Sequence, residues 1–208
     1  MKLHKEILHE LKEHIPFTAL ATLTSIILIF FFLKLNLISS FIPLFYMFHP
    51  AHILFSAAVS SAMFYNYNKK ILPSVLIGLI ISVAIGSLSD IFFPYLGTSL
   101  LGIPISFHLP ALEIPIVIWG IGLIGAGLGI IIKKTKFPHF LHVLISVFAS
   151  LFYIFAYSAN FSIINFLVIL LIASISVVIP CCLGDIILPL LLRIKKTSNQ
   201  KKIGVSLQ

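Results

Sequence analysis

Charge is scarce in this chain. Asp, Glu, Lys and Arg make up 10% of its 208 residues, against 60% hydrophobic residues. Soluble domains carry about a quarter charged residues, so this complement is too sparse to cover a water-exposed surface. With a mean hydropathy of +1.15, lipid is the solvent that makes the composition reasonable. Cysteine is nearly absent as well. The two present, Cys181 and Cys182, are neighbours, and the ring that a bridge between them would close is too tight for a structural disulfide framework.

Other absences bear on chemistry. The single arginine, Arg193, lies in the tail, which argues against lipid phosphatases that grip phosphate through arginine. Neither a His-Glu-x-x-His run nor a Gly-x-Ser-x-Gly elbow occurs, so zincins and serine hydrolases are disfavoured. The reading therefore leans away from an enzyme. Gly120, Gly122 and Gly125 spell the glycine pattern of a dinucleotide loop, but they sit inside an apolar run. Close helix packing, with Gly125 and Gly129 four apart, explains them better, and no organic cofactor is expected.

What the chain does have is long apolar runs. Six can be drawn, at 16–38, 51–67, 71–93, 114–132, 139–157 and 163–192, each near the roughly 20 residues that cross hydrocarbon. The first is too long for a signal peptide and lacks a small-residue cleavage site, so it is expected to remain as a span. The sixth carries Pro180 and Pro189 and is expected to kink or break. Residues 1–15 place Leu3, Ile7, Leu8, Leu11 and Ile15 at helical spacing among charged residues, an interfacial amphipathic helix.

The formal net charge is +8, yet the basic residues lie in short clusters between apolar runs, without the basic, aromatic-laced patch that nucleic acid requires. Their distribution speaks to topology instead. With the N-terminus inside, 13 of the 14 Lys and Arg residues face the cytoplasm and only Lys34 faces out. The expected location is the plasma membrane, multi-pass, with both termini cytoplasmic and the lipid bilayer as the main partner.

The chain also resembles itself. His49-Pro50-Ala51-His52 opens the second run and His139-Phe140-Leu141-His142 the fifth. In that register Leu54 matches Leu144, Ser56 Ser146, Ser60 Ser150 and Tyr67 Tyr157. Leu88-Ser89-Asp90, before Pro94, answers Leu183-Gly184-Asp185, before Pro189. Three spans are an odd number, so the second unit must enter the membrane inverted, as in many secondary transporters. The expected fold is all-α: a polytopic bundle of six transmembrane helices formed by two inverted three-helix repeats, plus the short N-terminal amphipathic helix. Its parts are the helix at 1–15, repeat one at 16–94, an external segment at 95–112 that re-enters or lies on the surface, repeat two at 113–192 and a basic cytoplasmic tail at 193–208.

The matched residues carry the candidate chemistry. His49, His52, Ser56, Ser60 and Tyr67 fall within an arc of about 80° on a helix, and their counterparts do the same. Serines in such a stripe often only pack or bond their own backbone. Two histidines three apart can approach one ion. Asp90 and Asp185 are the only acidic residues within the drawn spans, where a carboxylate normally lines a polar pathway or has a partner.

The expectation is one His/His/Asp cluster near each mouth, His49, His52 and Asp90 outside and His139, His142 and Asp185 inside. Straight helices would hold them roughly 20–30 Å apart, and broken helices would draw them to the midplane. Imidazole and carboxylate suit Zn²⁺, Mn²⁺, Fe²⁺, Co²⁺ or Ni²⁺, and Cys181 and Cys182 would add thiolate and favour a softer ion. The leading function is a transporter or channel for a small cation, a divalent transition metal above all. The alternatives are a proton-coupled transporter of another small solute, an intramembrane metal-dependent enzyme and a non-catalytic assembly subunit. A six-span bundle is thin, which suits a homodimer.

Overall fold

The computed structural model describes residues 2–35, 40–133, 136–158, 163–182, 184, 187–188 and 191–192. All regular structure among them is helical: α1 (Lys2–Lys34), α2 (Phe41–Asn68), α3 (Ile71–Ser87), a π-helical turn (Leu88–Phe92), α4 (Phe93–Leu100), α5 (Pro110–Glu113), α6 (Pro115–Ile132), α7 (Lys136–Tyr157) and α8 (Ile163–Cys182). Four helical stretches are long and apolar enough to cross a bilayer: Phe41–Asn68, Ile71–Leu100, Pro115–Ile132 and His139–Tyr157. Ala19–Phe32 and Leu167–Val178 are shorter apolar helices. The chain is thus a membrane-type helical bundle.

Large apolar side chains cover the outside of the bundle as well as filling its core. Ile116 is 89% exposed and Leu100 79%, whereas His49, His52, Asp90, His142 and Ser146 are fully buried. Hydrocarbon solvent selects an apolar coat, with polar groups gathered inside among the apolar core side chains, because only the interior can satisfy them.

Several element ends differ from the apolar runs. α2 starts ten residues before Ala51, because Pro43 sits in its first turn, where no intrahelical N–H bond is needed, and Pro50 is accommodated within the helix. α1 is continuous from Lys2 through Pro16, so the amphipathic segment and the first apolar run form one helix. α3, the π turn and α4 continue one another past Phe93 to Leu100. Pro94 cannot donate to the Asp90 carbonyl and its ring crowds it, and the widened turn, with the Phe93 N–H on the Leu88 carbonyl, absorbs the conflict.

α2 and α7 form the centre and run antiparallel. Phe41 lies against Phe155, Phe45 against Tyr153, Phe48 against Phe148 and His52 against His142. α6 packs on α2 and α1 on α7. At Gly125 and Gly129 a side chain would collide with the Leu54 and Ala58 carbonyls, so these glycines let α6 approach the α2 backbone. Ser61 Oγ donates to the Ala126 carbonyl at 2.8 Å. On the other side Ser25 Oγ donates to the Leu144 carbonyl at 3.0 Å.

The two ends of the bundle differ in character. Lys69 and Lys133 close α2 and α6 in left-handed conformations (φ 52° and 58°), and both ammonium groups lie over the Tyr65 ring, at 5.6 and 5.7 Å from its centroid. At the opposite end, Gly102 (φ 71°) turns the chain after α4. The following segment crosses over the bundle, bridged at Ile105 to Ser158 and held by Ser106 N–H on the Tyr157 carbonyl at 3.1 Å.

Candidate metal centre

Asp90 sits in the π turn, 19 residues after the start of α3 and 10 before the end of α4, or about 28 and 15 Å along a helix axis. It is therefore deep in the bundle rather than at a span end. His49 and His52, 8 and 11 residues into α2, are likewise about two to three turns inside.

The three side chains meet. Asp90 Oδ2 accepts from His49 Nδ1 at 2.9 Å and from His52 Nδ1 at 2.8 Å. Asp90 Oδ1 accepts from Ser89 Oγ at 2.8 Å and from Ser146 Oγ, and Ser150 Oγ donates to the Ser89 carbonyl at 3.0 Å. An ionised carboxylate only accepts, so both histidines carry hydrogen on Nδ1. Four donors occupy the carboxylate, and α2, the π turn and α7 are tied together at one buried point.

That arrangement determines what the far side of each ring offers. With Nδ1 donating, Nε2 of a neutral imidazole carries a lone pair. His52 Nε2 lies 3.8 Å from Cys181 Sγ on α8. The His52 and His142 rings stack at 5.5 Å and 19°, and His139 meets His142 edge-on at 4.6 Å. His52, His142 and Cys181 are all buried and bring one ligand atom each within 4.8 Å of one another. Tetrahedral zinc bonds imply ligand–ligand separations of about 3.3–3.8 Å, so a closure of about 1 Å would complete a metal site. The group could hold a metal ion.

The sequence leaves open whether the two His/His/Asp clusters stay at opposite mouths or are drawn together by broken helices. The structure joins the described members of both into one buried group, with His52 on His142 as the contact. Cys181 belongs to it. The side chain of Cys182, and Asp185 altogether, lie outside the described residues. Ser89 carries no signal in the sequence beyond its place next to Asp90. Ser146 is a member of the matched polar stripe, and its partner turns out to be a carboxylate rather than its own backbone.

Toward the end covered by the 101–114 segment lies an aromatic layer. Phe45 stacks on His49 at 5.5 Å and touches Tyr153 at 5.3 Å and Tyr157 at 5.8 Å. Above it, Glu113 accepts from Tyr46 Oη at 2.7 Å, from the Leu109 N–H at 3.0 Å and from His108 Nδ1 at 3.2 Å. His108 stacks on Tyr157 at 4.2 Å. Burial pushes the Glu113 carboxyl up, but the hydrogen bonds from Tyr46, Leu109 and His108 outweigh it and hold the group below the usual carboxylate value.

No protein-family model, curated protein or solved structure matches this chain.

Proposed function

We propose that this chain is an integral membrane transporter or channel for a small cation, with a divalent transition metal as its cargo. The observation that carries the reading is the buried grouping of His52, His142 and Cys181 within 4.8 Å. Soft and borderline donors gathered in the interior of an apolar-coated bundle suit a passing ion. A binding site for a macromolecule would need exposed donors.

We further read the chain as an inverted duplication with six spans, which agrees with that function. His52 and His142, matched in the two halves, stack on each other. The matched Leu54 and Leu144 carbonyls each receive a small residue from the first helix of the other half, Gly125 on α6 and Ser25 on α1. A two-fold in the membrane plane would pass through the histidine pair and relate an outward-open to an inward-open state. The 13-to-1 split of basic residues supports a plasma-membrane protein with both termini cytoplasmic.

The test is metal uptake into proteoliposomes, with wild type beside His52→Ala and His142→Ala. The reading expects uptake that saturates with metal and falls at least tenfold in either variant. Equal uptake by all three proteins, or none above protein-free vesicles, overturns it.

A further inference from the structure

Resting on that reading, we infer that the ion is held by two imidazoles and one thiolate, from His52, His142 and Cys181, that Zn²⁺ is the divalent ion the set fits, and that Asp90 positions His52 without ligating the metal.

Asp90 is the natural suspect for a ligand, but its oxygens are committed. Oδ2 holds two imidazoles and Oδ1 two serine hydroxyls. To bind an ion it would have to release a buried donor, which costs the full desolvation of that group. What the carboxylate does instead is hold His52 Nδ1–H at 2.8 Å. This fixes the ring and turns the Nε2 lone pair toward Cys181, the carboxylate–histidine–metal pattern of outer-shell support.

Chemistry narrows the ion. Ca²⁺ takes six to eight oxygen ligands, and Mg²⁺ an octahedron of oxygens. Here, among the described residues, the Asp90 carboxylate is occupied and the converging atoms are nitrogen and sulfur. Such a set selects Zn²⁺ among the ions considered, or Cu⁺ where thiolate dominates. Charge decides between them. A Cys181 thiolate and the Asp90 carboxylate together carry two negative charges, which one divalent cation neutralises and a monovalent one does not. Among the described residues no lysine or arginine is buried in the cluster to offset that difference.

Three protein ligands also leave a fourth tetrahedral position open, unlike closed structural zinc sites, which suits an ion that must leave again. His52 comes from α2, and His142 and Cys181 from α7 and α8. A movement of one half against the other would separate His52 from its co-ligands and dismantle the site.

The experiment titrates the full-length protein in detergent, under reducing conditions, with Co²⁺ as a spectroscopic stand-in for Zn²⁺. The expected result is one equivalent bound, with the intense visible bands of a tetrahedral site and a near-ultraviolet thiolate-to-cobalt band, all erased by one equivalent of Zn²⁺. Cys181→Ser should lose the thiolate band and Cys182→Ser should keep it. Asp90→Asn should keep the band and bind about ten- to a hundredfold more weakly. A wild-type protein without the thiolate band overturns the inference, as does a band that survives Cys181→Ser or an Asp90→Asn spectrum with altered geometry at unchanged affinity. The band without uptake in vesicles would overturn transport and leave the ligand set standing. Uptake without the band would do the reverse.

Discussion

His52 and His142 occupy matched places in the two halves of the chain and lie face to face, their rings 5.5 Å apart and 19° from parallel. One of the pair is steered by a carboxylate, since His52 Nδ1 donates to Asp90. The contact thus sets a carboxylate-held imidazole against a second imidazole, with Cys181 beside them.

Removing the Asp90 carboxylate should cost more than removing a typical core side chain. Asp90→Leu strands two imidazoles and two hydroxyls in the bundle interior. Breaking a buried charged network in this way costs about 3–5 kcal/mol. Asp90→Asn keeps an acceptor and should lose less. Thermal unfolding in detergent ranks the two, and a Leu variant as stable as wild type would contradict the hydrogen-bond assignment.

The contact between α6 and α2 makes a sharper comparison among glycines. Gly125→Ala and Gly129→Ala place a methyl against backbone carbonyls that cannot move aside, whereas Gly127→Ala and Gly120→Ala meet nothing within 4 Å. Overpacking costs about 1–3 kcal/mol, and an open helical glycine gains up to about 1 kcal/mol on becoming alanine. The first pair should lower the melting temperature and the second leave it level or raised. The opposite order would place α6 elsewhere.

Glu113 gives the 101–114 segment a pH dependence of known sign. Its carboxyl is held below the ordinary value, so its contribution is complete above about pH 4.3, the usual glutamate pKa, and fades as pH falls through the lower folded value. The groups facing it are Tyr46 on α2, Tyr157 on α7 and His108 on its own segment. Hydrogen exchange at the Leu109 amide, corrected for the intrinsic rate, should accelerate over that acid range in wild type. In Glu113→Gln it should show no such acid-range step. A wild-type amide indifferent to acid would dissociate the carboxylate from the strap.

Sidedness can be read with two labels. Lys69 and Lys133 share one end of the bundle, whereas Leu112, 77% exposed, belongs to the segment at the other. In intact cells an impermeant thiol reagent should label Leu112→Cys and spare Lys70→Cys until the membrane is permeabilised. Reversed labelling would turn the proposed topology over.

The bundle was legible in the sequence because apolar runs and scarce charge leave few options, and the Asp90 pairing because two histidines three apart share a helix face. The single site was not. Its position depends on how deep His49 and His52 lie, and that depends on α2 beginning at Phe41, ten residues before the apolar run drawn from Ala51. The convergence of Cys181 on His52 is likewise a matter of how α8 packs, on which spacing along the chain is silent. Ser89 was invisible for a simpler reason: a serine beside an aspartate is common, and only the π turn directs its hydroxyl onto the carboxylate.

That turn holds one residue more than an α-helix needs at that point. Were it to migrate one position toward Ser87, Asp90 would rotate by about 100° around the axis, and both imidazoles would lose their anchor in the same motion. The spare residue therefore sets which face of the helix carries the carboxylate, and with it the reach of both imidazoles.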